Sequence, residues 1–271
     1  MSAEGGTLRQ ARLPNVAVVL CSSDNTADVA RQVVPSFARH WPDCPYPRFV
    51  VFSTAAARFD CAGWRRVDAD SAAGWREELR NGLDRLGDQY EYLLLFLDDF
   101  LLVDHVESAR LQRLVAQAQQ VGADYLRLVP MQRSIWMRYL RRGSRMIRIP
   151  DDEPYYSSLQ LALWRRSHLL EMLRQPGSIW DFEHQRTPAG AHFAICEAPP
   201  CRYLHVVEKG RWMPYAPKLF AAARLPFVAG GRPLLGATYH GRHVLGKLRF
   251  ALTGYGPMRA RRFLARHFGS K

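Results

Sequence analysis

The sequence predicts an α/β protein built on a mixed, mostly parallel sheet flanked by helices. Short apolar runs alternate with amphipathic segments over the first 165 residues, the pattern of strands joined by helical crossovers. Two of those runs, Asn15 to Cys21 and Tyr92 to Leu97, are apolar almost throughout, as strands covered on both faces must be. Apolar residues make up 48% of the 271 and aromatics 11%, enough to bury a sizeable core.

In order along the chain, residues 1–14 read as a polar, frayed start. Asn15 to Cys21 is a strand ended by the polar Ser22-Ser23-Asp24-Asn25. Asp28 to Arg39 has helical spacing, and Arg48 to Ser53 is a second strand. Gly74 to Leu86 puts Trp75, Leu79, Leu83 and Leu86 on one helical face. Tyr92 to Leu97 is the third strand, Val106 to Gln120 a helix, and Tyr125 to Val129 a fourth strand. Met131 to Pro154 is basic and aromatic and reads as a loop or short hairpin. Leu159 to Trp164 returns to strand character, Ser167 to Leu173 to helix, and Pro176-Gly177 marks a turn. These segments predict an α/β domain over 15–205 and a basic, helical extension over 206–271.

Charge separates the two parts. The chain carries +13, from 38 Lys and Arg against 25 Asp and Glu. Residues 201–271 hold 14 basic residues and one acid, Glu208, so the body to residue 200 is electrically balanced. Within 239–271, Val244, Leu245, Leu248, Ala251 and Leu252, then Ala260, Phe263, Leu264 and Phe268, trace two apolar helical faces among seven Arg or Lys from Arg242 to Arg266. That pattern suits an anionic surface, either lipid or nucleic acid. No export signal precedes the first strand and no apolar run reaches the roughly 18 residues of a spanning helix, so a cytoplasmic, peripheral protein is expected. Five cysteines without repeated spacing read as reduced thiols. Cys196, Cys201 and His205 match no zinc signature and lack a fourth ligand.

The chemistry centres on Asp98-Asp99. Two adjacent carboxylates at the carboxyl end of an apolar strand are costly unless their charge is offset, and that end is where open α/β sheets place ligands. Hard oxygen ligands suit Mg²⁺ or Mn²⁺ bridging a diphosphate. The plain alternative is that the pair only turns the chain.

At these residues the sequence resembles the GT-A glycosyltransferases, in particular bacterial enzymes of surface-polysaccharide and lipopolysaccharide assembly. The resemblance runs from about Val16 to Glu183. It rests on Cys21-Ser22-Ser23-Asp24 after the first strand, Gly74-Trp75 opening a helix, and Tyr92-Leu93-Leu94-Leu95-Phe96-Leu97-Asp98-Asp99-Phe100. It continues through Ser157-Ser158-Leu159-Gln160-Leu161-Ala162-Leu163-Trp164 and Ile179-Trp180-Asp181-Phe182-Glu183. The resemblance implies a GT-A-like fold and transfer of a sugar from a nucleotide-sugar to a glycan or lipid-linked acceptor, with a divalent metal. The usual acidic motif is Asp-x-Asp; the Asp-Asp form here leaves open which carboxylate ligates metal and which meets the ribose. It further implies that Ser22, Ser23 and Asp24 hold base and ribose, residues that would equally serve a turn and helix cap. Trp75 would lie against the donor or in the core. Glu183, with Asp181 as alternative, would be the base that takes the acceptor hydroxyl's proton, unless these acids merely favour a helix start.

Gln160, inside an apolar run, needs a hydrogen-bond partner. Arg133, Arg138, Arg141, Arg142 and Arg145, with Trp136 and Tyr139, and Lys209-Gly210-Arg211-Trp212 are further candidates for phosphate contact. His105 reads as a surface residue. Two other classes compete. A nucleotidyltransferase would ordinarily carry a Gly-rich phosphate loop, and none occurs. A nucleic-acid-binding protein would spread positive charge over its body, whereas here the charge is confined to the tail.

Overall fold

A computed structural model describes residues 15–236 apart from 57–58, 61, 130–145, 151–155 and 185–189, together with Gly241 and Leu245. The arginines expected at 133–145 and the basic helices expected over 239–271 therefore lie outside the described residues, those two positions excepted.

The first half is a parallel α/β arrangement. Strand β1 (Val16–Cys21) is followed by a short 3₁₀ turn and helix α1 (Ala27–His40), then β2 (Arg48–Phe52) and β3 (Arg65–Asp68). Helix α2 (Trp75–Leu86) leads to β4 (Tyr92–Leu97), which runs through the acidic pair into β5 (Phe100–Leu102). Helix α3 (Ser108–Gln120), β6 (Tyr125–Arg127), β7 (Met146–Arg148) and β8 (Ala162–Arg165) follow, then α4 (Arg166–Leu173), α5 (Ile179–His184) and β9 (His192–Ile195). The described chain closes with β10 (Tyr203–His205), β11 (Val207–Glu208), β12 (Arg211–Trp212) and α6 (Ala216–Ala222).

Eight strands form the main sheet in the order β3-β2-β1-β4-β8-β6-β9-β7. The pairs β1–β2, β2–β3, β1–β4 and β6–β9 are parallel, while β8 runs antiparallel to both β4 and β6, and β7 antiparallel to β9. The mixed, mostly parallel sheet is thus as the sequence predicts.

Alternation along β1 shows why all six of its residues are apolar. Val16, Val18 and Leu20 face a cluster that includes Val33 and Phe37 of α1 and Leu111 and Leu114 of α3. Ala17, Val19 and Cys21 face the opposite cluster, with Leu79 and Leu83 of α2 and Leu169 of α4. Both faces are covered, so no polar side chain can be placed without a buried partner. Gly82 of α2 sits against Val51, where a Cβ would come within 2.4 Å of Cγ1, so the helix could not pack this close with any larger residue.

The core continues past residue 205. Val206, Trp212, Ala216 and Phe220 belong to the cluster under α1, and β10 pairs antiparallel with β5. Lys209 (φ 48°) and Gly210 (φ 73°) form the tight left-handed turn between β11 and β12, which Trp212 anchors from its buried position. No helix among the described residues is long and apolar enough to cross a membrane.

Candidate functional site

The order β2-β1-β4 places a topological switch between β1 and β4, the position at which open α/β sheets receive ligands at the strands' carboxyl ends. Ser22 follows β1 and Asp98-Asp99 follow β4, so both loops meet there. The Asp98 amide donates to the Cys21 carbonyl at 3.1 Å, and the Ser22 amide to the Val51 carbonyl at 3.0 Å. The Ser22 hydroxyl donates to Asp98 Oδ2 at 2.8 Å. Asp98 is partly exposed as a residue, yet its carboxyl lies deep enough that desolvation, with the Asp99 charge beside it, raises its pKa to about 7. Hydrogen bonds from Thr26 and Ser22 and the charge of Arg232 act in the opposite direction without cancelling it.

Asp99 is held from the other side. Pairing of β10 with β5 sets His205 opposite Phe100, and His205 Nδ1 lies 2.9 Å from Asp99 Oδ2. The Val206 amide donates to the Asp99 carbonyl at 3.0 Å, and the Tyr215 hydroxyl to the His205 carbonyl at 2.9 Å. Phe100 stacks on Tyr203 with ring centroids 4.1 Å apart and meets His205 edge-on at 4.7 Å.

The residues after β1 divide into different tasks. Ser22 reaches Asp98 directly. Ser23 instead bonds the Thr26 hydroxyl through both its amide (3.1 Å) and its own hydroxyl (2.9 Å), the local bonding of a helix start. Asp24 accepts from the Thr54 amide at 3.2 Å and the Thr54 hydroxyl at 2.5 Å, tying this loop to the one after β2. Asp24 therefore builds the crevice wall.

The second acidic site is reached through a run of hydrogen bonds that passes partly through the backbone. Tyr203 donates its hydroxyl proton to Gln160 Oε1 at 2.6 Å, the partner that Gln160 requires. The Gln160 backbone N–H donates to the Ser158 hydroxyl at 3.2 Å, and Ser158 donates that hydroxyl's proton to Glu183 Oε1 at 2.9 Å. The Leu159 amide donates to the same oxygen at 2.8 Å. Glu183 is thus linked to Asp99 through Ser158, Gln160, Tyr203, β10 and His205. Asp181 is different. It is exposed, and its Oδ2 accepts from both the amide and the hydroxyl of Ser178 at 2.7 Å, closing the first turn of α5. Among the described residues, this run of hydrogen bonds and strand pairing leads from Glu183 to the acidic pair.

Trp75 packs against the cluster containing Cys21 and meets Phe182 edge-on at 5.3 Å, so it stands between β1's end and the helix carrying Glu183. Its neighbour Arg76, absent from the sequence reading, donates to the carbonyls of Gly177 (2.7 Å), Met172 (3.1 Å) and Ser178 (3.3 Å) and lies over the Phe182 ring. Nothing in the sequence marks Arg76 as buried. Arg232 was equally hidden among the basic residues. It forks onto Asp28 at 2.9 and 3.2 Å, reaches the carbonyls of Asn25 and Gly210, and brings positive charge near Asp98.

Among the described residues, no group of three or more His, Cys, Asp or Glu side chains forms a ready-made metal cage. Cys196 and Cys201 are buried, burial pushes the Cys201 thiol well up, and His205 is bonded to Asp99. An open pair of carboxylates is nonetheless the donor set that Mg²⁺ or Mn²⁺ accepts when phosphate oxygens and water complete the shell.

No protein-family model matches the chain, and no curated protein matches it in sequence. Among solved structures it is similar to a fragment of S. aureus TarS spanning residues 1–349, at 10% identity and a TM-score of 0.45, over 68% of this chain and 59% of that one. A longer S. aureus TarS structure is similar at 12% identity and a TM-score of 0.39, over 58% of this chain and 29% of that one. The chain thus spans well under two thirds of either TarS structure. A galactosyltransferase LgtC structure with donor and acceptor sugar analogues is similar at 11% identity and a TM-score of 0.38, over 83% of this chain and 99% of that one.

Proposed function

We propose that the chain is a glycosyltransferase of the GT-A kind, moving a sugar from a nucleotide-sugar to a glycan or lipid-linked acceptor in surface-polysaccharide assembly. The observation that carries this reading is the pair Asp98-Asp99 at the switch-point crevice, with Asp98 raised by burial and by its neighbour's charge. A site that holds two carboxylates against this cost is built for a cation. Asp98 and Asp99 would hold Mg²⁺ or Mn²⁺, which would supply the positive charge that stabilises the departing diphosphate. Ser22 fixes the Asp98 carboxylate and His205 that of Asp99, so each is oriented before ligand arrives. The β1 loop of Ser22, Ser23 and Asp24 offers the adjoining wall for the nucleoside, and Trp75 an apolar face nearby.

Glu183 serves as base. The two hydrogen bonds on Oε1 orient its carboxylate toward taking the proton from an acceptor hydroxyl as that oxygen attacks the anomeric carbon. We read Asp181 as the cap that sets the helix. The tail over 239–271 is proposed to dock the enzyme on the inner face of the cytoplasmic membrane. A screen of nucleotide-sugars for thermal stabilisation, with and without Mn²⁺, tests the reading. At least one donor should raise the melting temperature only with metal, and Asp98→Asn or Asp99→Asn should abolish that rise while circular dichroism stays unchanged. Metal-independent stabilisation that survives both substitutions refutes it.

A further inference from the structure

We propose that a second cavity, between the start of α2 and the turn joining α4 to α5, binds an anionic group, phosphate or carboxylate, carried by the acceptor; the acceptor assignment rests on the glycosyltransferase reading. The cavity has a volume of about 350 Å³. That is room for roughly one charged sugar, at the lower end of small-molecule sites.

Its walls carry three arginines, Arg76, Arg80 and Arg174, and one acid, Glu77. These charges are not equivalent. Arg76 gives its donors to three carbonyls, and Asp181 is close enough to act on its charge. Glu77 accepts from the Ser71 hydroxyl at 3.0 Å. Arg80 lies one helical turn beyond Arg76 on α2, and Arg174 closes α4 from the facing side. Neither side chain has an ion pair or hydrogen bond among the described residues. Two guanidinium groups on opposite walls of one cavity, both available, are suited to the oxygens of a phosphate or carboxylate.

The place of the cavity ties it to the transfer site. Trp75 and Ile179 are part of its apolar lining, with Leu173 and Pro176. Trp75 also packs on the cluster of Cys21 at the end of β1 and against Phe182, the residue before Glu183. The Arg76 bonds to Gly177 and Ser178 hold the α4–α5 turn against α2, so the wall is fixed. An acceptor anchored by its anion at Arg80 and Arg174 would extend past Trp75 toward Glu183.

The test is direct binding, which needs no turnover. Glucose 6-phosphate and glucuronate serve as probes, with glucose and inorganic phosphate as comparators, measured by calorimetry on the full chain. At least one charged sugar should bind, with Kd raised roughly ten-fold by Arg80→Gln and again by Arg174→Gln, and unchanged by Asp98→Asn. Glucose should bind far more weakly than either. Should Arg80→Gln impair folding, the exposed Arg174→Gln reads the same contact. Absence of any arginine-dependent binding overturns the site. Inorganic phosphate binding as tightly as glucose 6-phosphate, with the same arginine dependence, overturns the acceptor and leaves a free-phosphate site. The glycosyltransferase reading fails separately: metal-dependent donor binding must be lost in Asp98→Asn and kept in both arginine variants.

Discussion

Acid should loosen this fold through one buried pair of imidazoles. His192 on β9 and His168 on α4 are both buried, and their Nε2 atoms lie 2.8 Å apart. His192 Nδ1 lies 3.3 Å from the Tyr156 carbonyl, which can only accept, so His192 carries its proton there and receives at Nε2 from His168. A second proton on either ring would set two N–H groups against each other. Burial first, then the neighbouring His168, lowers the His192 pKa from 6.5 to about 4, and burial lowers that of His168. Asp124 opposes the shift on both rings and Glu171 on His168, while Arg127 acts with the shift on His192 and Arg165 on His168. The folded value lies below the unfolded one, so between pH 6.5 and 4 the unfolded chain binds the extra proton. Stability is full above pH 6.5 and is lost as pH falls. At about 1.36 kcal/mol per pH unit, His192 alone should remove about 2 kcal/mol between pH 7 and pH 5, and about 3 kcal/mol by pH 4. Urea unfolding at intervals from pH 7.5 to 5 measures this. In His192→Gln the absolute stability should fall and the slope flatten by about that amount. A wild-type curve flat over this range, or an equal slope in the variant, refutes the tautomer argument.

Two further outcomes concern the proposed chemistry. Glu183→Gln should lower kcat on the order of a hundred- to ten-thousand-fold while sparing donor affinity, and Ser158→Ala, which removes one bond to Oε1, should lower it by a smaller factor. A Glu183→Gln variant that binds donor poorly but keeps kcat would move this residue to the donor site. For the tail, liposome co-sedimentation should show binding that requires anionic lipid, weakens with salt and disappears on truncation after Tyr239, each basic residue near the surface contributing about 1 kcal/mol. Equal sedimentation of the truncated chain shows the tail to be structural.

What the sequence revealed was what burial alone dictates. Strands β1 and β4 are covered on both faces and so are apolar throughout, and the break at Asp98-Asp99 stood out against them. Strand β3, Arg-Arg-Val-Asp, lies at the sheet edge with its first arginine exposed, and gave no apolar pattern to read. The apolar run from Leu159 was read as strand from its first residue, yet β8 begins at Ala162. The Leu159 amide bonds Glu183 instead of a neighbouring strand, and that of Leu161 bonds the Tyr203 hydroxyl. Helix α3 starts at Ser108, two residues later than the periodicity suggests: Glu107 before it has a non-helical backbone (φ −77°, ψ 77°). His205 and Gln160 were visible as residue types. Their partners, Asp99 and Tyr203, follow from the pairing of β10 with β5, a contact across about a hundred residues that no local pattern encodes.

The charge distribution carries the same distinction between local and long-range information. Composition assigns the whole +13 to residues 201–271 and so suggests one basic extension. Within its described part several side chains face inward. Trp212 is fully buried beside Phe220 and Phe227, and Gln32 of α1 exchanges two 2.8 Å hydrogen bonds with the backbone of Val228. Arg232 makes four guanidinium hydrogen bonds, to Asp28 and two carbonyls. This strap closes over the start of α1 and the loop that follows β1, and it brings the Arg232 charge within reach of Asp98. A part of the basic excess therefore balances the acidic crevice of the body itself. Arg211, Lys218 and Arg224 stay exposed within the described part, and beyond residue 236 the seven Arg and Lys between Arg242 and Arg266 alternate with apolar positions at helical spacing.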